Sequence, residues 1–124
     1  MKALKLPEAH RQRYQEFQQA LEQLAIAAIA VEPDGAKLAK SSEDLQQFFQ
    51  LKILSLSSED LAPSALPSVR SYQTEMHKQL RLLATDMMFV RASRQTATLE
   101  ERLSQVRARL QTLIGYCEKL IIHN

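Results

Sequence analysis

Histidine is the residue type best suited to bind a metal ion or transfer a proton near neutral pH, and the chain has His10, His77 and His123. A di-metal site in a helical bundle needs Glu-x-x-His pairs on two helices, with further inward glutamates. No histidine here has a glutamate three residues before it. Glu75 lies about 200° around a helix from His77. We therefore predict no metal centre and expect each histidine at the surface.

Cys117 is the single cysteine of the chain. One cysteine excludes an intrachain disulfide and a multi-thiolate metal site within one chain. Its place in a repeating apolar pattern predicts burial, and a buried thiol is a small hydrophobic group with a raised pKa and little reactivity. We therefore expect neither nucleophilic catalysis nor a bound cofactor at this residue.

Charged residues near apolar stripes raise two further questions. A small helical enzyme with a carboxylate-binding pocket would need inward cations, and Lys52 and Arg81 lie beside apolar arcs. Such side chains commonly extend from the edge of a core into water, so an enzyme is the less favoured alternative.

Asp86 stands among apolar residues, where an unpaired carboxylate is costly. Arg91 is a marginal neighbour on the same helix, so we predict an interhelical contact between Asp86 and an arginine.

The composition excludes several classes of protein. The chain has 124 residues, enough for a single domain, 1–124, with a real core. Its only glycines, Gly35 and Gly115, are far apart, whereas phosphate-binding loops need clustered glycines and β-sandwiches use them in frequent turns. A net charge of +2 and an aromatic content of 6% do not favour nucleic acid as a partner.

No segment favours insertion into a membrane. Residues 1–17 lack the apolar stretch of a signal peptide. The longest apolar run, residues 24–31, is far shorter than the roughly 20 residues of a spanning helix. No helix has the strongly basic face of a surface-binding helix. We therefore expect a cytoplasmic protein with no membrane partner.

The elements that must position these residues are helices. Apolar periodicity and turn signals predict an all-α protein, an antiparallel up-down four-helix bundle. The short connection between the last two helices predicts that they form a long hairpin. The expected helices cover about residues 7–30, 42–56, 67–94 and 98–122. An earlier turn of the second helix over residues 37–40 stays open.

Polar residues at the helix starts predict the caps. Ser41 or Ser42 is expected to cap the second helix. Thr96 or Thr98 is expected to cap the fourth, where Thr98 and Glu101 have the spacing of a capping box.

Each helix carries one apolar stripe at helical spacing, which predicts its core face. The stripe residues are Tyr14, Phe17, Leu21, Leu24, Ala28 and Val31; Leu45, Phe48, Phe49, Ile53 and Leu56; Val69, Tyr72, Met76, Leu80, Leu83, Met87 and Val90; and Leu99, Leu103, Val106, Leu110, Leu113, Cys117 and Leu120.

The third helix has apolar residues outside its stripe. Leu82, Met88 and Phe89 point away from the face that holds Leu83 and Met87. Two interpretations stay open. The helix is either central and buried on two sides, or it exposes a patch that binds a partner or a second copy.

The second half of the chain resembles a known family. The strings SYQTEMHKQLRLL (71–83), DMMF (86–89) and ASRQ (92–95) are similar to the PatD family of small cyanobacterial proteins. The string LQTLIGYC (110–117) also fits, and the resemblance covers about residues 70–120. Members are named for control of heterocyst frequency and are linked to the tubulin-like division protein FtsZ.

The resemblance implies a non-enzymatic cytoplasmic regulator, without catalytic residues or cofactor, that binds a protein partner such as FtsZ and alters its assembly. A structural homo-oligomer, closed as a homodimer by the third helix, is the alternative. From the pattern and the resemblance together, the expected partner-binding residues are Lys78, Arg81, Asp86, Met88, Phe89, Arg91, Arg94 and Arg102.

Overall fold

The structure, a computed structural model, describes residues 5–30 and 32–121. In these residues the chain forms four α-helices and no strand, which confirms the predicted all-α four-helix bundle. A π-helical turn, Phe49–Ile53, continues the second helix, and a 3₁₀ turn, Ser58–Asp60, follows it. The helices are α1 (Glu8–Ala27), α2 (Gly35–Phe48), α3 (Leu66–Ala92) and α4 (Thr96–Ile121).

Consecutive helices run antiparallel, as the start of α2 at Gly35 beside Arg91 near the end of α3 illustrates. Helix α1 also packs against α4, so the four helices form a closed ring around one core. Tyr72, near the start of α3, lies 5.8 Å from Tyr116, near the end of α4, as an antiparallel hairpin requires. Phe17 of α1 stacks on Phe48 of α2 with ring centroids 5.8 Å apart. No helix of the described residues is long and apolar enough to cross a bilayer.

The predicted stripes supply the core. Most of their members are buried, while Phe48, Leu56, Tyr72 and Leu99 are half-buried at its edge. Val31 lies outside the described residues. Burial of one large aliphatic or aromatic side chain stabilises the fold by about 1.5–3 kcal/mol. The hydrophobic effect along these stripes therefore sets the arrangement of the helices.

The second helix begins seven residues earlier than predicted, and its cap is neither Ser41 nor Ser42. The Asp34 side chain accepts hydrogen bonds from the amides of Ala36 and Lys37, at 3.0 and 3.1 Å. Ser42 lies inside α2 and is buried. A polar residue at a core position interrupts the apolar pattern, so the pattern alone leaves the turn over residues 37–40 open, whereas the structure begins α2 at Gly35.

The π-turn explains the end of the second helix. Core residues Leu45, Phe49 and Ile53 follow a spacing of four and four, whereas an α-helix with 3.6 residues per turn would bring Lys52 to the core after Phe49. The wider turn, closed by the Leu54 amide donating to the Phe49 carbonyl at 2.9 Å, absorbs one residue. It buries Ile53, leaves Lys52 exposed and ends the helix before the predicted residue 56.

Two other helix starts differ from the sequence prediction. Pro7 precedes α1 as its N-cap rather than being its first residue. At α4 the Leu99 amide donates to the Gln95 carbonyl at 3.0 Å, so the helix begins at Thr96 and Thr98 lies inside its first turn. Neither Thr96 nor Thr98 is therefore the cap, and Thr98 and Glu101 do not form a capping box.

The other helix ends lie close to the predicted positions. Helix α1 ends at Ala27 rather than at residue 30. Helix α3 ends at Ala92, because Ser93 adopts an extended conformation (ψ 126°). Residue 122, the predicted end of the fourth helix, lies outside the described residues, as does His123.

Candidate functional site

The residues expected to bind a partner, apart from Asp86, lie on the outer side of α3 and beside its C-terminal end. On an ideal helix Lys78, Arg81, Met88 and Phe89 fall within about 100° of arc, and all four are exposed. Arg91 lies on the flank toward α2, where its Cγ would be 3.6 Å from a Cβ built on Gly35. We call this region the α3 surface; it comprises Lys78, Arg81, Met88, Phe89, Arg91, Arg94 and Arg102.

Two large apolar side chains stand on this surface. Met88 is 70% exposed and Phe89 is 45% exposed. Helix α3 packs chiefly against α2 and α4. Burial on two sides is therefore wrong for Met88 and Phe89, which form an apolar patch open to solvent.

Arg102 of α4 holds the ring of Phe89 in place. Its guanidinium carbon lies 4.4 Å from the centroid of the Phe89 ring, a cation–π contact across the hairpin. Such a contact at an exposed site is worth about 0.5–1 kcal/mol. The structure thus brings together two predicted residues that are 13 positions apart in the sequence.

Positively charged side chains surround the apolar patch. In the part of the chain that the structure describes, no acidic side chain forms an ion pair with Arg81, Arg91, Arg94 or Arg102. Lys78 approaches Glu75 at 3.9 Å, the long end of the range for an ion pair. Four unpaired guanidinium groups around an apolar patch create a positive field there.

Asp86 lies beneath this surface rather than on it. The carboxylate is buried and accepts a hydrogen bond from the Nε of Arg109, a residue of α4 whose side chain is about a quarter exposed. The predicted interhelical contact between Asp86 and an arginine is confirmed. Asp86 therefore joins α3 to α4 and is not exposed on the α3 surface.

Two adjoining grooves extend the α3 surface toward the π-turn. One, of about 590 Å³, is lined by Leu54, Arg70 and Lys78, among others, and the other, of about 300 Å³, lies against α2. His77 and Arg81 line both. Sequence reasoning missed Arg70 and His77, although Arg70 lies 11 residues before Arg81 and His77 lies 11 residues before Met88, a spacing that places them on one flank of α3.

Cys117 and Tyr14 are two titratable side chains of the core. Burial raises the pKa of the Cys117 thiol to about 12, with the nearby Glu118 and Glu22 adding to the effect. Burial also raises the pKa of Tyr14, although the hydrogen bond from Gln73 to its hydroxyl opposes the shift. Both groups are therefore protonated at neutral pH.

His10 corrects one prediction. We expected it at the surface, but the structure buries it on the core face of α1, and its Nε2 has no hydrogen-bond partner. The stripe of α1 continues backward through His10 to Leu6, four residues at a time from Tyr14, and this spacing was the available signal. His77 is exposed, as expected. Across residues 5–30 and 32–121 no group of three potential ligands is placed to hold a metal ion.

Sequence reasoning also missed a second apolar surface. Ile26 and Ile29 near the end of α1 are 60% and 64% exposed. They lie within the apolar run 24–31 but outside the stripe of α1, so helical spacing alone marks them as outward-facing.

The comparisons with known proteins identify one family. The family model of the CRR41 C-terminal domain matches residues 12–117, most of the chain and all of the α3 surface. The chain therefore belongs to the CRR41 C-terminal domain family. No curated protein and no solved structure matches it. The resemblance to the PatD family stays a prediction.

Proposed function

We propose that this member of the CRR41 C-terminal domain family is a non-enzymatic cytoplasmic regulator that binds a protein partner through the α3 surface. The observation that carries the proposal is the exposure of Met88 and Phe89 among unpaired arginines. Aromatic residues, methionine and arginine are the side chains enriched at protein interfaces.

The chemistry of the surface favours one kind of partner. An apolar patch binds by excluding water from a facing apolar group. The surrounding arginines favour a partner with carboxylates around that group, because complementary charges accelerate association and suppress wrong partners. The cation–π contact with Arg102 holds the Phe89 ring before binding, which reduces the entropy lost when the complex forms.

The same charges disfavour a homodimer through this surface. A two-fold axis would place the arginines of one copy against those of the other, and like charges at an interface are costly. A different protein with an acidic surface fits the α3 surface better than a second copy does.

FtsZ is the partner to test first, since the resemblance to the PatD family implies it. FtsZ polymers are sedimented with and without the purified protein at moderate salt. We expect a change in polymer yield or bundling, and co-sedimentation of the protein with the polymers. Unchanged polymers without co-sedimentation of a folded sample, with FtsZ from the same host, would exclude FtsZ as the partner.

A pair of double variants tests the site. Phe89→Ala with Arg94→Ala removes one apolar and one cationic side chain from the α3 surface, and we expect loss of binding. Leu51→Ala with Lys119→Ala removes the same kinds of exposed side chain from the opposite end of the bundle and is expected to bind normally. Equal binding by both variants would show that the α3 surface is not the site.

A further inference from the structure

A groove of about 320 Å³ runs along the outer side of the bundle between α1 and α4. Its α1 edge presents Ile26 and Ile29, and exposed isoleucines side by side are typical of a contact surface rather than of open solvent. This groove belongs to neither the α3 surface nor the core. Its lining residues are Glu22, Ala25, Ile26, Ile29, Arg107, Gln111 and Ile114.

The antiparallel packing of α1 and α4 fixes four corners of the groove. Arg107 lies beside the end of α1, where its guanidinium donates to the Ala28 carbonyl at 3.2 Å, and it therefore faces Ile29. About two turns away along the helices, Glu22 faces Ile114. One diagonal of the groove thus joins two isoleucines, and the other joins an acidic and a basic residue.

The two charged corners have no ion-pair partner within the described part of this chain. Glu22 accepts a hydrogen bond only from the amide of Gln18, at 2.9 Å. Arg107 is held in place by its bond to Ala28, which leaves its other N–H groups able to donate. Each corner presents a fixed charge to whatever covers the groove.

This pattern is self-complementary. A two-fold axis along the diagonal from Ile29 to Ile114 brings Glu22 of each copy opposite Arg107 of the other. The same operation places Ile29 against its own equivalent. An isologous interface requires that each contact be made twice by the same patch, and this arrangement supplies two ion pairs around an apolar centre.

We propose that the chain forms a two-fold homodimer through the groove between α1 and α4. The presence of both charge signs at opposite corners favours a second copy as the occupant. The dimer leaves the α3 surface uncovered, because that surface lies on the other side of α4. This inference does not depend on the proposed function.

Sedimentation equilibrium from about 1 μM to about 500 μM protein tests the dimer. We expect a monomer–dimer equilibrium for the wild type. Glu22→Arg brings a cation of each copy opposite Arg107 of the other copy. We therefore expect the dissociation constant of the dimer to rise by at least about tenfold. Glu16→Arg makes the same charge change at another exposed position of α1 and is expected to dimerise normally.

A charge swap between two variants distinguishes this groove from any other contact. Arg107→Glu alone is expected to dimerise weakly, like Glu22→Arg. An equimolar mixture of the two restores both ion pairs in the mixed dimer, so we expect recovery of association. Circular dichroism checks folding, because Arg107→Glu also removes the hydrogen bond to Ala28.

A variant that leaves both Glu22 and Arg107 in place protects the test against misfolding of Arg107→Glu. Ile29→Glu is expected to abolish the dimer, whereas Leu51→Glu, an exposed apolar residue at the other end of the bundle, leaves it intact. A wild type that is monomeric at every concentration overturns the proposal. So does a dimer that all of these substitutions leave unchanged.

Discussion

Two surfaces of this bundle expose apolar side chains, and they differ in the charges around them. On the α3 surface, Met88 and Phe89 lie among arginines without ion-pair partners in the described chain. Beside α1, Ile26 and Ile29 lie in a groove with Glu22 and Arg107 at opposite corners. Each patch exposes two large apolar side chains, so the sign pattern of the charges distinguishes the occupants: one sign repels a second copy, and two signs at opposite corners attract one.

The largest expected effect comes from a comparison of two Phe→Ala variants, which tests whether Phe89 contributes little to the stability of the fold. Phe49→Ala removes a ring that is 2% exposed and should cost about 3–5 kcal/mol of folding free energy. Phe89→Ala makes the same chemical change on the α3 surface and should cost less than about 1 kcal/mol. Urea unfolding measures both. A similar loss in the two variants would mean that Phe89 holds the fold together, and the α3 surface would lose its anchor.

A somewhat smaller loss of stability is expected when the buried contact between Asp86 and Arg109 is weakened. Asp86→Asn weakens the buried contact with Arg109 and should cost about 2–3 kcal/mol, less than a fully buried pair because Arg109 is partly exposed. Asp44→Asn breaks the exposed pair with Lys40 and should leave the urea midpoint almost unchanged, because solvent screens the pair.

The outcome decides the role of Asp86. If Asp86→Asn unfolds in urea like the wild type and the variant binds its partner normally, the contact with Arg109 is not structural. If stability is unchanged and binding is lost, Asp86 belongs to the site itself.

The smallest effect is the response of the two surfaces to salt. Between about 50 mM and about 500 mM NaCl, partner binding by the α3 surface should weaken by about tenfold, because several cations contribute and salt screens them. The dimer should weaken by only about two- to threefold, since isoleucine contacts do not respond to screening. Fluorescence anisotropy and sedimentation measure the two responses, and equal salt dependence would remove the distinction between the surfaces.

The four-helix bundle and one contact in its interior could be predicted from the sequence. The stripes of α3 and α4 keep helical spacing without interruption, so they predict both helices and the hairpin. The contact of Asp86 could be predicted because an unpaired buried carboxylate is costly in any arrangement of the helices. The identity of Arg109 as its partner depends on the register between α3 and α4, which the sequence does not reveal.

Other features depend on tertiary structure. Ser42 and His10 occupy core positions as polar residues, and a pattern of apolar residues cannot count them. The groove that Ile26 and Ile29 share with Arg107 exists only when α4 is in place beside α1. The cation–π contact of Phe89 likewise needs the geometry of the hairpin.

The π-turn has a consequence for how related chains are compared. It holds one residue more than a regular helix needs between Phe49 and Ile53, so deleting Leu51 would restore regular helical spacing and keep both core side chains in place. Homologous chains can therefore differ by one residue here and retain the same core. In an alignment of such chains the difference takes the form of a one-residue gap inside a helix, a place where gaps are ordinarily penalised as errors.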